Sequence, residues 1–158
     1  MAKIVRIVGL IVIGLAVAAG PAFAAGGGGG SSAPPPDPNY TKARTLIDAG
    51  SYADAIPLLQ KVVVAKPKSA DAFNYLGYSH RKIGQFDAAI KNYQRALALQ
   101  PKHLGANEYL GELYLELGEL SKAEERLDVL DDACFFGCEE YSELKELIKD
   151  YKNRQGAS

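Results

Sequence analysis

Sliding the sequence against itself by 34 residues superimposes Gly50, Gly84 and Gly118, then Ala55, Ala89 and Ala123, then Tyr52, Phe86 and Leu120, then Leu59, Tyr93 and Leu127. Over two copies Leu76-Gly77 matches Leu110-Gly111, and Pro67 matches Pro101. A fixed period of this length argues against a single closed core. Each copy is one supersecondary unit that buries its apolar face only against its neighbours, so the chain is expected to stack. Three copies fall at about 36–69, 70–103 and 104–137.

Each copy holds two helical periods. In the second copy Phe73, Leu76, Gly77 and His80 recur at spacings of three and four, Gly84 interrupts, and Phe86, Ala89, Ile90, Tyr93, Ala96 and Leu97 resume the pattern until Pro101. The expected unit is helix, tight turn, helix. Gly84 suits a left-handed residue just past a helix end, a conformation without a Cβ penalty for glycine. Gly77 and Ala89 are expected where two antiparallel helices approach closely. Ser51-x-x-Asp54 and Ser121-x-x-Glu124 have the form of capping boxes for the second helices of copies one and three. Pro57 lies near the first turn of its helix, where backbone donors lack partners anyway, so a slight bend is expected and not a break.

These residues resemble the tetratricopeptide repeat family. Its pattern of Trp-x2-Leu-Gly-x2-Tyr, Ala-x3-Phe and Pro stands here as Phe73-x2-Leu76-Gly77-x2-His80, Ala89-x3-Tyr93 and Pro101. The third copy reads Asn107-x2-Leu110-Gly111-x2-Tyr114 and Ala123-x3-Leu127, with Phe135 in place of the proline. The first keeps Gly50, Ala55, Leu59 and Pro67 but has Asn39, Lys42 and Ala43 where the family has Trp, Leu and Gly. The resemblance implies an all-α, right-handed α-solenoid of three helix-turn-helix units. Residues 138–154, with Tyr141, Leu144, Leu147, Ile148 and Tyr151 on one face, read as a C-terminal capping helix that covers the last repeat.

The N-terminus reads as an address. Lys3 and Arg6 precede an apolar run from Ile7 to Ala19, then Gly20-Pro21 and Ala22-Phe23-Ala24, the layout of a secretory signal peptide cleaved after Ala24. The competing reading is a retained membrane anchor, but the run is shorter than the roughly 20 residues a span needs. Residues 25–38, rich in Gly and then Pro, read as a linker with a reach of roughly 20 Å. The mature chain is therefore expected in the periplasm with no membrane span.

The chain has two cysteines, Cys134 and Cys138, and export would place them in an oxidising compartment. Three intervening residues including Gly137 allow the chain to turn, so a local disulfide is expected, contributing roughly 2 kcal/mol by loop entropy. A redox-active pair would ask for Cys-x-x-Cys at a strand-to-helix junction. His80 stands where the family has a packed Tyr, and His103 has no nucleophile beside it. No phosphate loop or Gly-x-Ser-x-Gly motif occurs, and 18 basic residues against 19 acidic ones exclude a polybasic nucleic-acid binder. No catalytic residue, metal or cofactor is expected.

The surface remains. Members of the family bind peptides or helices in a concave groove lined by the first helix of each pair. The stripe facing away from Leu76 and His80 is Asn74, Tyr78, Arg81 and Lys82, matched by Tyr40, Arg44, Ile47 and Asp48 one period earlier and by Glu108, Glu112, Leu115 and Glu116 one period later. The groove would be basic and aromatic at one end and acidic at the other; the alternative is a solvated stripe with no ligand. Glu108 and Glu112 would repel the C-terminal carboxylates that some family members clamp. On a larger scale residues 37–103 carry a net charge of +5 and residues 104–158 of −8. The expected function is an exported, non-enzymatic adaptor or scaffold for a protein or peptide partner in the cell envelope. The alternative is a structural protein that self-assembles by stacking head to tail, or a polarity that is incidental and screened by salt.

Overall fold

A computed structural model describes residues 37–156. Residues 1–24 and nearly all of the 25–38 segment lie outside the described residues. Among the described residues the fold is all-α: α1 Pro38–Asp48, α2 Tyr52–Ala65, α3 Ala70–Lys82, α4 Phe86–Leu99, α5 Leu104–Glu116, α6 Leu120–Ala133 and α7 Glu139–Gly156. Helices α1 and α2, α3 and α4, and α5 and α6 form three antiparallel pairs; α2 packs on α3, α4 on α5, and α7 on both α5 and α6. The first helix starts at Pro38, with Asp37 as its N-cap, inside the segment read as linker.

The recurring glycines set the turns within the pairs. Gly50, Gly84 and Gly118 have φ of 75°, 75° and 78°. After each, the next amide donates back to the carbonyl five residues earlier: Ser51 to Leu46, Gln85 to His80 and Glu119 to Tyr114. Each first helix thus ends in the same left-handed cap.

The helix starts differ from the expected capping boxes. Neither Ser51 nor Ser121 caps a helix through its side chain: Ser51 is an N-cap residue without that bond, and Ser121 lies inside α6, whose N-cap is Glu119. The reason is backbone geometry. At Ser51, Gln85 and Glu119 ψ is 59°, 66° and 60°, outside the extended conformation in which a side-chain oxygen reaches the second or third amide. Side-chain caps instead open the first helix of each pair. Asp37 accepts from Asn39 N at 2.9 Å, Ser69 accepts from Ala72 N at 3.3 Å, and His103 Nδ1 accepts from Ala106 N at 3.1 Å. The other ring nitrogen of His103 bonds Asp71 at 3.0 Å, which ties the N-cap of α5 to the first turn of α3. α2 runs through Pro57 without interruption.

The core has two parts. Ala43, Ile47, Ala55, Leu59 and Leu76 form one, between the first and second pairs. Ala89, Tyr93, Leu110, Leu113, Leu130, Leu144 and Ile148 belong to the other, which runs through the second and third pairs to α7. Tyr78 packs against both. Gly77 is required by a close approach: a Cβ there would lie 2.6 Å from the ring of Tyr93, a fully buried side chain. Gly111 plays the same part against Leu144 of α7.

Candidate functional site

The stripe read from the sequence falls on α1, α3 and α5, but its members meet different fates. From α1 and the start of α2 through α3 to α5, a layer of tyrosines runs from pair to pair. Tyr40 meets Tyr75 edge-on at 5.8 Å between ring centroids, Tyr52 meets Tyr78 at 5.8 Å, and Tyr78 meets Tyr109 at 4.8 Å. Two exposed cations lie over these rings, Arg44 at 5.4 Å from Tyr75 and Lys82 at 5.1 Å from Tyr78. Such contacts hold long, flexible side chains along the aromatic surface while their charges stay in water. Burial, and then Asp71, push the Tyr40 hydroxyl up to about 12. That hydroxyl is a neutral hydrogen-bonding group at any physiological pH.

Asp48 and Glu116 are exposed, whereas Asn74, Arg81 and Glu108 face inward. Asn74, 5% exposed, packs against the first turn of α5 at Gly105. Arg81, 9% exposed, reaches from α3 to α5, where it pairs with Glu112 at 2.5 Å and bonds Glu116 through Nε at 2.8 Å and Nη2 at 2.5 Å. Burial works against the Arg81 charge, but Glu112 and Glu116 outweigh it and raise the group further. The basic and acidic ends of the stripe therefore neutralise each other at this seam.

Helix α7 packs beside the C-terminal end of the stripe. Leu147, Tyr151 and Arg154 join Arg81, Glu112, Leu115 and Glu116 around a hollow of about 210 Å³. Next to it Glu108, Tyr109, Glu139, Glu140 and Glu143 line a polar hollow of about 270 Å³. Glu108 is 4% exposed, and burial, reinforced by a hydrogen bond with Glu143, pushes its carboxyl up to about 9. Carboxylate oxygens of Glu108, Glu112 and Glu143 come within 4.8 Å of one another. Three such oxygens are the kind of set a hard cation takes. Here Glu112 is engaged by Arg81, and burial disfavours the charge on Glu108, so the three carboxyls pack α5 against α7.

Cys134 and Cys138 are disulfide-bonded, with their Cα atoms 5.6 Å apart. His80 bonds Gln85 at 2.7 Å. Tyr75, Tyr109, Glu143, Leu147 and Tyr151 belong to the site but not to the sequence stripe. Tyr75 and Tyr109 were visible as identical residues one period apart, whereas the α7 residues fall outside the repeat and carry no register.

Comparison with known proteins matches two family models, both described as tetratricopeptide repeat, at residues 40–83 and 81–148. No curated protein matches. Among solved structures, the chain is similar to the Sgt2 TPR domain from Aspergillus fumigatus, with a TM-score of 0.70 at 19% identity over 81% of this chain and 87% of that one. It is also similar to the Yersinia enterocolitica type III secretion chaperone SycD in complex with a peptide of the translocator YopD, with a TM-score of 0.62 at 26% identity over 72% and 86%. MamA aligns with a TM-score of 0.60 at 29% identity over 73% of this chain and 68% of its own. With the two matched segments running together over more than half of its length, the chain belongs to the tetratricopeptide repeat family.

Proposed function

We propose that the protein is an exported, non-enzymatic adaptor that holds a peptide or helix of a cell-envelope partner on the α1–α3 face of its groove. The observation that carries this reading is the tyrosine layer of Tyr40, Tyr75 and Tyr78 with Arg44 and Lys82 laid over it. Aromatic rings beside solvated cations suit a peptide that combines apolar side chains with acidic ones. The likeness to SycD, whose structure contains a peptide of YopD, supports peptide binding on this fold. The acidic hollow at α7 would repel acidic segments and so set the direction in which a peptide lies. The signal-like N-terminus and a disulfide are what support export.

The test is crosslinking capture from a native envelope extract, with the chain beside an Arg44→Glu, Lys82→Glu variant and bound proteins identified by mass spectrometry. A protein held by the wild type and lost by the variant establishes the groove and names the partner. The same set on both baits would overturn it. N-terminal sequencing of the chain recovered from the envelope is expected to begin at Ala25, and an intact Met1 would refute cleavage.

A further inference from the structure

The most exposed large apolar side chains among the described residues are Phe135 and Phe136, at 89% and 96% exposed, and Val64 at 82%. The phenylalanines are not loosely held. Their loop is closed by the Cys134–Cys138 disulfide and by a turn bond from Gly137 N to Cys134 O at 2.8 Å, and the two rings meet edge-on at 5.0 Å. A rigid display of apolar surface loses little entropy on docking, and apolar groups presented this way mark interaction sites.

The charges beside the two patches are opposite. Asp131 and Asp132 stand at the base of the phenylalanine loop, and Lys61, Lys66 and Lys68 lie within four residues of Val64 in the chain; all five are exposed, and no ion pair within the described residues engages them. Their positions are also related. Lys66 and Lys68 stand two periods before Cys134 and Phe136, and Val64 two periods before Asp132. Both patches thus span the last turn of the second helix of their pair and the loop after it, one at each end of the same edge. The middle of that edge is the turn around Pro101, where Lys102 Nζ donates to the Asp132 carbonyl at 3.0 Å and makes the edge continuous.

We propose that two copies of this chain associate side by side and antiparallel along this edge. The Phe135-Phe136 loop of each copy lies against Val64, and Asp131 and Asp132 face Lys66 and Lys68. A two-fold axis near the Pro101 turn brings the complementary patches together twice, so the contact is self-complementary and closes at two copies. An anionic lipid surface is a poorer occupant, since Asp131, Asp132 and Glu139 would face its negative potential. This edge differs from the head-to-tail ends, where Asn39 and Lys42 replace the apolar residues that stack in the second pair. It also leaves the tyrosine face of α1 and α3 open, so it stands whether or not that face binds a peptide.

The chain, expressed with its own N-terminus and recovered after any processing, would be followed by sedimentation equilibrium at low salt over a range of concentrations. The expected mass rises from one copy to two and stops. Phe135→Ser with Phe136→Ser, and separately Lys66→Glu with Lys68→Glu, should weaken the dimer at least tenfold without changing the circular dichroism spectrum. Adding Asp131→Lys and Asp132→Lys to the lysine variant should restore it, and high salt should weaken the wild type. A wild type monomeric throughout, growth beyond two copies, or association unaffected by the phenylalanine variant would overturn the proposal. So would failure of the charge swap to restore the dimer, or binding to phospholipid vesicles that depends on the phenylalanines in a chain that stays monomeric.

Discussion

Arg81 on α3 holds Glu116 on α5 through two guanidinium nitrogens, and the pair carries one repeat's charge into the next. With Glu112 on its third nitrogen, Arg81 is enclosed between α3 and α5. Glu116 stays solvated when Arg81 is removed, but Glu112, 17% exposed, is left largely buried without its partner, which costs about 3 kcal/mol. Arg81→Ala should therefore destabilise the chain by about that much in a urea titration. Arg81→Met combined with Glu112→Gln, which removes the charges together, should cost less than the single alanine change. Equal losses would show that the ion pair is a surface contact of little weight.

The glycines of the repeat separate into two kinds, and substitution should distinguish them. At Gly84, φ is 75° and nothing lies within 4 Å of an added Cβ, so Gly84→Ala pays only for the left-handed backbone, about 1 kcal/mol. At Gly77 the backbone is helical and alanine is the better helix former. Yet the new Cβ would sit 2.6 Å from the Tyr93 ring, which has no solvent to retreat into. Overpacking of this kind costs about 1–3 kcal/mol. Gly77→Ala together with Tyr93→Leu should recover part of the loss, while Gly84→Ala with Tyr93→Leu should be additive. Thermal unfolding of these four variants and of Tyr93→Leu alone checks both statements.

The Cys134–Cys138 bridge closes a short loop, and the entropy model gives about 2 kcal/mol for it. Cys134→Ser with Cys138→Ser should lower stability by up to that amount and loosen the turn before α7. Hydrogen exchange should rise first in residues 134–142, with α3 and α4 unchanged. A uniform rise across all helices would mean that the loop is part of the cooperative core.

The pairs were legible because their signals repeat: a residue recurring every 34 positions tells where a left-handed turn must be, as at Gly50, Gly84 and Gly118. What does not repeat was not legible. Helix α7 has an apolar face that says it must cover something, but no register that says Leu144 lies over Gly111 or Glu143 beside Glu108. The α3 stripe divides: Tyr78 and Lys82 keep some exposure, while Asn74 and Arg81 are buried. Its spacing could not show that Arg81 turns toward Glu112 and Glu116, since helical periodicity fixes direction around one axis and not the distance to the next. The capping boxes misled for a related reason: Ser51 has the right neighbours in sequence, but the tight turn after Gly50 sets a backbone angle that its hydroxyl cannot use.

Glu108 links the stability of the cap to pH. Its carboxyl is pushed up from an ordinary 4.5 to about 9, first by burial and then by Glu143. A carboxyl that binds its proton more tightly folded than unfolded favours the folded state fully at pH below 4.5. That contribution is lost progressively as pH rises toward 9, because the unfolded chain then releases a proton the folded chain must keep. Stability should therefore fall between pH 5 and 9, and the loss should concentrate where α7 meets α5. Glu108→Gln keeps a neutral hydrogen-bonding group of the same shape and removes the titration. The variant should match the wild type near pH 4.5, exceed it increasingly toward pH 9, and show a flatter dependence overall. Urea titrations at several pH values measure this directly. Parallel curves for the two proteins would mean that Glu108 titrates alike in the folded and unfolded chain and does not link the cap to pH.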